Sequence, residues 1–301
     1  MRQLAPLLIL CLIAPAAGGA EATGAEPDEA PSLTTFYGTA TVRERPVTSA
    51  TSAVTVLDRA AIEATGARTL SELLRFVPGL DITTGVARGS LATAQIRGGD
   101  PNYTRVLLDG IPLNDGTYQV GDVFDLTGLP VLAIERLEVV RGPLSSFYGS
   151  TGLAGAINII TRRGQSASSG IELAEGELEG GDASLRRAGA SLAGGSDRAA
   201  YFVGLSWEEE SERVADESFS HGALHANLDL QLGPTSRLRL SSRFADWDAE
   251  DYPDASGGPV FGSGELRDAQ HSELSLGAEL LLGKDEHHKV TASVYHHALD
   301  R

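Results

Sequence analysis

The chain has 301 residues, 42% of them hydrophobic and 22% charged, with a formal net charge of −17. No run beyond the N-terminus approaches the roughly 20 consecutive apolar residues that a membrane-spanning helix needs, which excludes helical spanning but not a β-barrel, whose alternating strands hide in hydropathy. So acidic a chain is also a poor binder of nucleic acid, and none is expected as a partner.

Residues 1–20 read as a signal peptide. Arg2 gives the positive start, Leu4 to Ala14 the apolar run and Gly18-Gly19-Ala20 the small-residue cleavage site. The single cysteine, Cys11, lies inside this segment and follows Leu10, where a lipoprotein anchor would want a small residue. The exported chain therefore has no thiol and relies on packing and hydrogen bonds. Residues 21–41 form a flexible N-terminal segment, small, acidic and Pro-containing at first, with too little apolar content to fold alone. It ends in a short β-prone patch, Phe36-Tyr37-Gly38-Thr39-Ala40-Thr41. An extended patch on a leash suits strand addition to another protein's sheet edge. An ordinary disordered tail is the simpler reading of the same residues.

Residues 42–163 read as one compact α+β domain with balanced charge, 12 Arg against 12 Asp and Glu, whereas residues 164–301 hold 11 basic and 25 acidic residues. The break near 163 marks a domain boundary. Ala53–Leu57 is a strand, and Asp58 caps the helix after it. Thr69-Leu70-Ser71-Glu72 is a capping box, opening a helix that Pro78-Gly79 stops. Further strands are expected at Ala94–Arg97, Arg105–Asp109, Ile134–Arg141 and Ala156–Thr161, with turns at Gly98-Gly99-Asp100-Pro101 and Asp109-Gly110. Gly142-Pro143 ends the strand 134–141 sharply, and Tyr148-Gly149 and Gly152 turn the chain into 156–160, apolar enough to be buried on both faces. Gly149, Gly152 and Gly155 are spaced GxxGxxG and lead into a β-branched strand, which does not fit a dinucleotide loop.

From about residue 168 the pattern has period 2. Leu224, Ala226, Leu228, Leu230 and Leu232 alternate with His225, Asn227, Asp229 and Gln231. Leu238, Leu240 and Phe244 alternate with Arg237, Arg239 and Arg243, and Leu274 to Leu282 repeat the rhythm. One side wants hydrocarbon and the other water. A half-buried sheet in a soluble protein would alternate in the same way. Tight turns near Gly194–Asp197, Gly233–Ser236 and Gly283–Glu286 contrast with longer polar connections at about 209–218 and 248–270, the asymmetry of an outer-membrane barrel. About seven strands are expected: 168–178, 184–193, 198–208, 220–232, 235–247, 271–282 and 288–299. Tyr201, Trp207, Phe244, Trp247 and Tyr252 are expected near strand ends on the long-loop side, as a girdle or as core aromatics. Seven strands do not close a barrel, so residues 164–301 are read as its N-terminal portion and the chain as a fragment or truncated product.

Three ordered blocks carry a family resemblance. They are AVTVLDRAAIEATGARTLSELLRFVPGLDI, QIRGGDPNYTRVLLDGIPLND with its Asp109-Gly110 pair, and IERLEVVRGPLSSFYGSTGLAGAINIITRRG with Gly142, Pro143, Tyr148 and Gly149. Over residues 53–163 the chain resembles the plug domain of TonB-dependent outer-membrane receptors. The fold implied is an α+β plug followed by the first antiparallel strands of a transmembrane β-barrel. The function implied is active uptake of a scarce solute, of the ferric siderophore or cobalamin class, gated by the plug and driven by the partner TonB. The ligand would carry the iron or cobalt, and the protein needs no cofactor or metal of its own. Lipid of the outer membrane and a small-molecule ligand complete the partners.

The resemblance also assigns roles. Phe36 to Thr41, followed by Arg43, is similar to the box that TonB captures as an added strand, with Gly38 departing from the usual apolar residue. Arg97 and Arg141 match plug arginines that pair with acidic groups of the barrel wall, where an unpaired buried charge would be costly. Thr84–Ala94 and Asn114–Asp122 are the apical stretches expected to meet ligand. His287, His288, His296 and His297 lie roughly 26 Å apart along one strand as two pairs, too far to share a metal. No HExxH or GxSxG stands out, so no catalytic residues are assigned. The rivals are a passive porin or adhesin, which needs neither box nor plug, and a secreted α+β enzyme with a soluble β-domain.

Overall fold

The computed structural model describes the backbone of residues 36–37, 45–46, 52–84, 91–118, 121–164, 168–177, 184–211, 218–234, 236–251, 267–282 and 290–300, with side chains over parts of 52–248. The expected signal peptide, Gly38 to Thr41, Tyr252 and His287–His288 lie outside the described residues.

Phe36–Tyr37 (β1) pairs antiparallel with Arg45–Pro46 (β2). The α+β domain opens with β3 (Ala53–Leu57), followed by α1 (Arg59–Thr65). Asp58 accepts the Ala61 N–H at 2.8 Å, capping the helix as its sequence requires, and Gly66 closes it in the left-handed region at φ 67°. In α2 (Leu70–Leu74) the Thr69 hydroxyl accepts the Glu72 N–H at 3.2 Å. Glu72 reaches back to the Arg68 N–H at 2.8 Å, one residue earlier than a standard capping box would place it. The helix ends at Leu74, before the expected stop at Pro78-Gly79.

The following strands are β4 (Leu80–Thr84), β5 (Ala92–Ile96), β6 (Thr104–Leu108), β7 (Ile111–Pro112), β8 (Asp115–Tyr118), β9 (Gly121–Val123) and β10 (Ile134–Arg141). After α3 (Ser145–Tyr148) comes β11 (Gly155–Thr161). Five of these strands form a mixed sheet in the order β3-β10-β11-β6-β7, with β11 parallel to β6, while β4–β5 and β8–β9 are separate hairpins. β5 overlaps the strand expected at Ala94–Arg97, whereas β4, β7, β8 and β9 were not foreseen; Leu80-Asp-Ile-Thr-Thr and Asp115-Gly-Thr-Tyr carry too few apolar residues to announce a strand.

The central strand β11 is buried on both faces, as its run of apolar residues demands. On one face Ile157 and Ile159 join Ile62, Leu70, Leu73, Leu74 and Leu137 under the helices. On the other, Ala156 packs with Leu107, Val140 and Leu144. Burying each such side chain contributes roughly 1.5–3 kcal/mol.

Seven antiparallel strands follow in simple meander order: β12 (Ser168–Glu177), β13 (Ser184–Gly195), β14 (Ala199–Ser211), β15 (Ser218–Gly233), β16 (Ser236–Asp251), β17 (Arg267–Leu282) and β18 (Val290–Asp300). Their number and order agree with the period-2 reading. Several strands run further than the apolar alternation does, β14 to Ser211 and β16 to Asp251, because ladder hydrogen bonds continue into polar segments that need no apolar face. Among the described residues β12 and β18 are edges and do not pair with each other.

The burial of this sheet is inverted. His225, Asn227 and Arg243 are under 8% exposed, whereas Leu205, Leu232 and Phe244 are 51%, 59% and 43% exposed. The polar residues of the alternation face the α+β domain, and the apolar ones face outward. Two aromatics depart from the expected girdle. Trp247 turns inward and is buried, and Tyr201 sits at the short-turn end of β14 rather than the long-loop end.

Candidate functional site

The chemistry-bearing residues meet where the α+β domain touches the inner face of the meander. The turn between β6 and β7 is built by Asp109 and Gly110, both at positive φ (52° and 86°), the combination a two-residue type I′ hairpin requires. Asp109 accepts the Thr161 N–H at 3.1 Å, the Thr161 hydroxyl, and Arg163 Nη2 at 3.2 Å, while the Gly110 N–H donates to Asn158 Oδ1 at 3.1 Å. One carboxylate thus fixes the turn to the end of β11. Hydrogen bonds to a charged group of this kind are worth about 1.5–3 kcal/mol each.

From there the network crosses to the wall. Asn227 Nδ2, on β15, donates to Thr161 Oγ1 at 2.8 Å and to the Arg162 carbonyl at 2.7 Å. Arg163 Nη1 lies 3.9 Å from Asp229 Oδ1, which also receives Arg239 Nε of β16 at 3.2 Å. The Arg162 guanidinium rests 5.0 Å over the Phe202 ring of β14. Burial, then the nearby Arg59, hold its pKa below the ordinary arginine value. Higher on β16, Arg243 Nη2 donates to the Gly128 carbonyl. Trp247 lies so close to Gly128 that a Cβ there would strike its ring, so this contact requires glycine.

Beside the Trp247 attachment the surfaces separate around a cavity of about 490 Å³. Arg68, Thr69 and Ser71 at the start of α2 line it on one side, and Arg187, Glu208 and His221 on the wall. Arg187, Glu208, His221 and Trp247 are successive cross-strand neighbours over β13 to β16, so a single transverse row of polar side chains and one indole faces the domain. Thr84 and Ala92, the pair at the loop end of the β4–β5 hairpin, border the same cavity.

The residues singled out from sequence are distributed unevenly over this interface. Asp109 and Gly110 stand at its centre. Gly142 (φ 144°) and Gly149 (φ 70°) take backbone conformations closed to most residues, and Tyr148 packs on the Leu107–Val140 cluster near Pro143. Phe36 and Tyr37 form β1, paired with Arg45–Pro46.

Arg97 and Arg141 do not join the wall network. Both flank Gly79; Arg141 Nη1 donates to the Pro78 carbonyl at 2.9 Å, and among the described residues neither has a carboxylate partner. Burial, and secondly Arg97, hold the Arg141 pKa below its usual value. In the apical stretch the Asn114 side chain is engaged by backbone rather than left open. Sequence reading missed the contacts of Arg163, Asn227, Asp229, Arg239 and Arg243. The period-2 alternation had assigned Asn227, Asp229, Arg239 and Arg243 to a water-seeking face, which was the available signal.

A small α+β domain seated on the polar face of an antiparallel meander whose other face is bare hydrocarbon is the arrangement of a plug against an outer-membrane barrel wall. The family model of the TonB-dependent receptor plug domain matches residues 46–156. The vitamin B12 transporter BtuB of Photobacterium profundum is 27% identical over 225 residues, 72% of this chain and 36% of that protein. BtuB of Vibrio vulnificus is 34% identical over 137 residues, covering 46% of this chain and 22% of its own. Among solved structures, the siderophore receptor PirA of Acinetobacter baumannii superposes with a TM-score of 0.66 at 20% identity, over 82% of this chain and 40% of that one. FpvA of Pseudomonas aeruginosa, bound to a pyoverdine, gives 0.68 at 18% identity over 85% and 35%. The chain is thus similar to TonB-dependent receptors, with a plug domain matched over residues 46–156 and an antiparallel barrel-like sheet after it. It spans well under half the length of the relatives it matches.

Proposed function

We propose that the protein serves active uptake of a scarce solute across the outer membrane, with the plug as gate and TonB as the source of force. The observation that carries this is the inverted sheet with a plug bound to its polar face. A passive porin has no use for a domain held by Asp109, Thr161 and Asn227 across its lumen, and a secreted enzyme has no use for Leu205 and Leu232 facing outward. The relatives named for vitamin B12 and for siderophores favour a bulky metal-bearing ligand of one of those classes. Export through residues 1–20 and residence in the outer membrane belong to the same proposal. So does pairing of Arg97 and Arg141 with wall carboxylates beyond the described residues.

Residues Phe36 to Thr41 are proposed as the box taken up by TonB as an added strand. Proline at Thr39 removes a backbone donor and fixes φ, so Thr39→Pro in the complete receptor abolishes uptake while leaving binding of the same ligand at the cell surface intact. Thr39→Ser behaves as the unsubstituted protein. Uptake that survives proline at 38, 39 and 40 in turn would remove the proposed mechanism.

A further inference from the structure

The hairpin β8–β9 stands in the apical stretch assigned above to ligand, and among the side chains described on its strands Val123 is the buried one. Its attachment is polar and converges on one side chain. The Asn114 Oδ1 accepts the Val106 N–H at 2.8 Å, and its Nδ2 donates to the Thr104 carbonyl at 3.1 Å and the Asp122 carbonyl at 2.9 Å. These partners lie on β6 and β9, at either side of the residue that leads into β8. On β6 they sit where a neighbouring strand is missing, because β7 pairs only with Leu107 and Leu108. The Asn114 amide therefore stands in for a strand, satisfying edge groups of β6 with one hand of the amide and tethering β9 with the other. The Leu113 N–H completes the same edge by donating to the Val106 carbonyl at 3.0 Å. Two weaker supports flank it: Arg105 lies 3.6 Å from Asp122, and Gly121 seats so closely on Asn102 that a Cβ would overlap its amide.

We infer that Asn114 is a positioning residue for the apical hairpin β8–β9, and that through the hairpin's placement it sets affinity for the transported solute without touching it. The ligand half of this inference rests on the uptake reading above. Three of the four hydrogen-bonding positions of the amide are spent on backbone, which leaves it a support rather than a contact. Any ligand lying on the hairpin meets a surface whose height and tilt the amide fixes, so loosening it lowers affinity by disorder rather than by loss of a direct bond.

Two variants of the intact receptor test this. Asn114→Asp keeps the acceptor for Val106 but turns an oxygen toward two carbonyl oxygens, and Asn114→Ala removes all three bonds. Hydrogen exchange of amides 115–118 and 121–123 is compared with that of 155–161 in the plug core. The expected result is exchange faster by roughly tenfold, about 1.4 kcal/mol, in the hairpin alone, more in Asn114→Asp than in Asn114→Ala. Affinity is measured with vitamin B12 and with ferric enterobactin as probes, and whichever one the unsubstituted receptor binds is expected to bind five- to thirtyfold more weakly. Unchanged hairpin exchange in both variants, or an equal rise at 155–161, overturns the positioning role. A loosened hairpin with unaltered affinity overturns its link to ligand. If the unsubstituted receptor binds neither probe, the ligand half falls with the uptake reading, and exchange still decides the positioning half.

Discussion

The plug and the wall obey opposite rules of burial within one chain. In the plug, Leu73, Leu137 and Ile157 are hidden and make the core; in the wall, Arg243, His225 and Asn227 are hidden and Leu205, Leu232 and Phe244 lie outside. The difference teaches that the alternation of a sequence specifies two faces without saying which one is interior. Solvent decides that. The plug folds against itself in water, whereas the wall has the plug on one side and, on the other, exposed apolar residues such as Leu192, Val203, Leu205, Trp207, Leu240 and Phe244.

The largest expected effect separates the two environments. Leu73→Ala, in the plug core, should lower stability by about 2–5 kcal/mol, measured as the shift in denaturant midpoint of the folded receptor. Leu205→Ala on the outer face leaves that midpoint nearly unchanged. Loss of stability equal to that of Leu73→Ala would mean that Leu205 packs inside a protein core after all.

Leu205→Arg sharpens the comparison, because it is innocuous on a water-exposed surface but costs about 2–4 kcal/mol near the middle of a bilayer. Folding into lipid vesicles at graded urea concentrations is the check. A neutral outcome would show that this face is solvated.

The seam between the two regions comes next. Asp109→Ala leaves the Thr161 N–H and Arg163 without their acceptor, and a cost of about 1.5–3 kcal/mol is expected. Because Thr161 also bonds Asn227, the double variant Asp109→Ala/Asn227→Leu should cost less than the sum of the singles. Additive costs would mean that plug and wall are energetically independent at this point. The smallest effect is that of a local cap, Thr69→Ala, at about 1 kcal/mol and confined to α2.

Much of this was legible in the chain itself. Asp58 and Thr69 announced the two helices, the run 156–160 announced a doubly buried strand, and Leu224 to Leu232 announced a two-faced one. These signals are local, because caps and periods are written in consecutive residues. The seam was not legible. Asn227 and Thr161 are 66 positions apart, and Arg243 and Gly128 are 115 apart. Alternation places Asn227 and Arg243 on the right face but says nothing of the level at which each meets the plug, which depends on strand register and on how the plug sits. Trp247 could be read from sequence as a girdle or a core aromatic, and the room left by Gly128 draws it inward, to the second of these. Arg97 and Arg141 were assigned by resemblance to wall pairing, a contact that needs wall residues outside those described here.

The central claim is that the apolar face of the meander contacts lipid and its polar face contacts the plug, and the two tryptophans test it directly. Trp207 is 43% exposed on the outer face and Trp247 is 2% exposed on the inner one. With the protein folded into vesicles of brominated phospholipid, Trp247→Phe leaves Trp207 as reporter and its fluorescence should be strongly quenched. Trp207→Phe leaves Trp247, shielded by Gly128, and its emission should match that in unbrominated lipid. Quenching of Trp247 with none of Trp207 would contradict the assignment of the two faces.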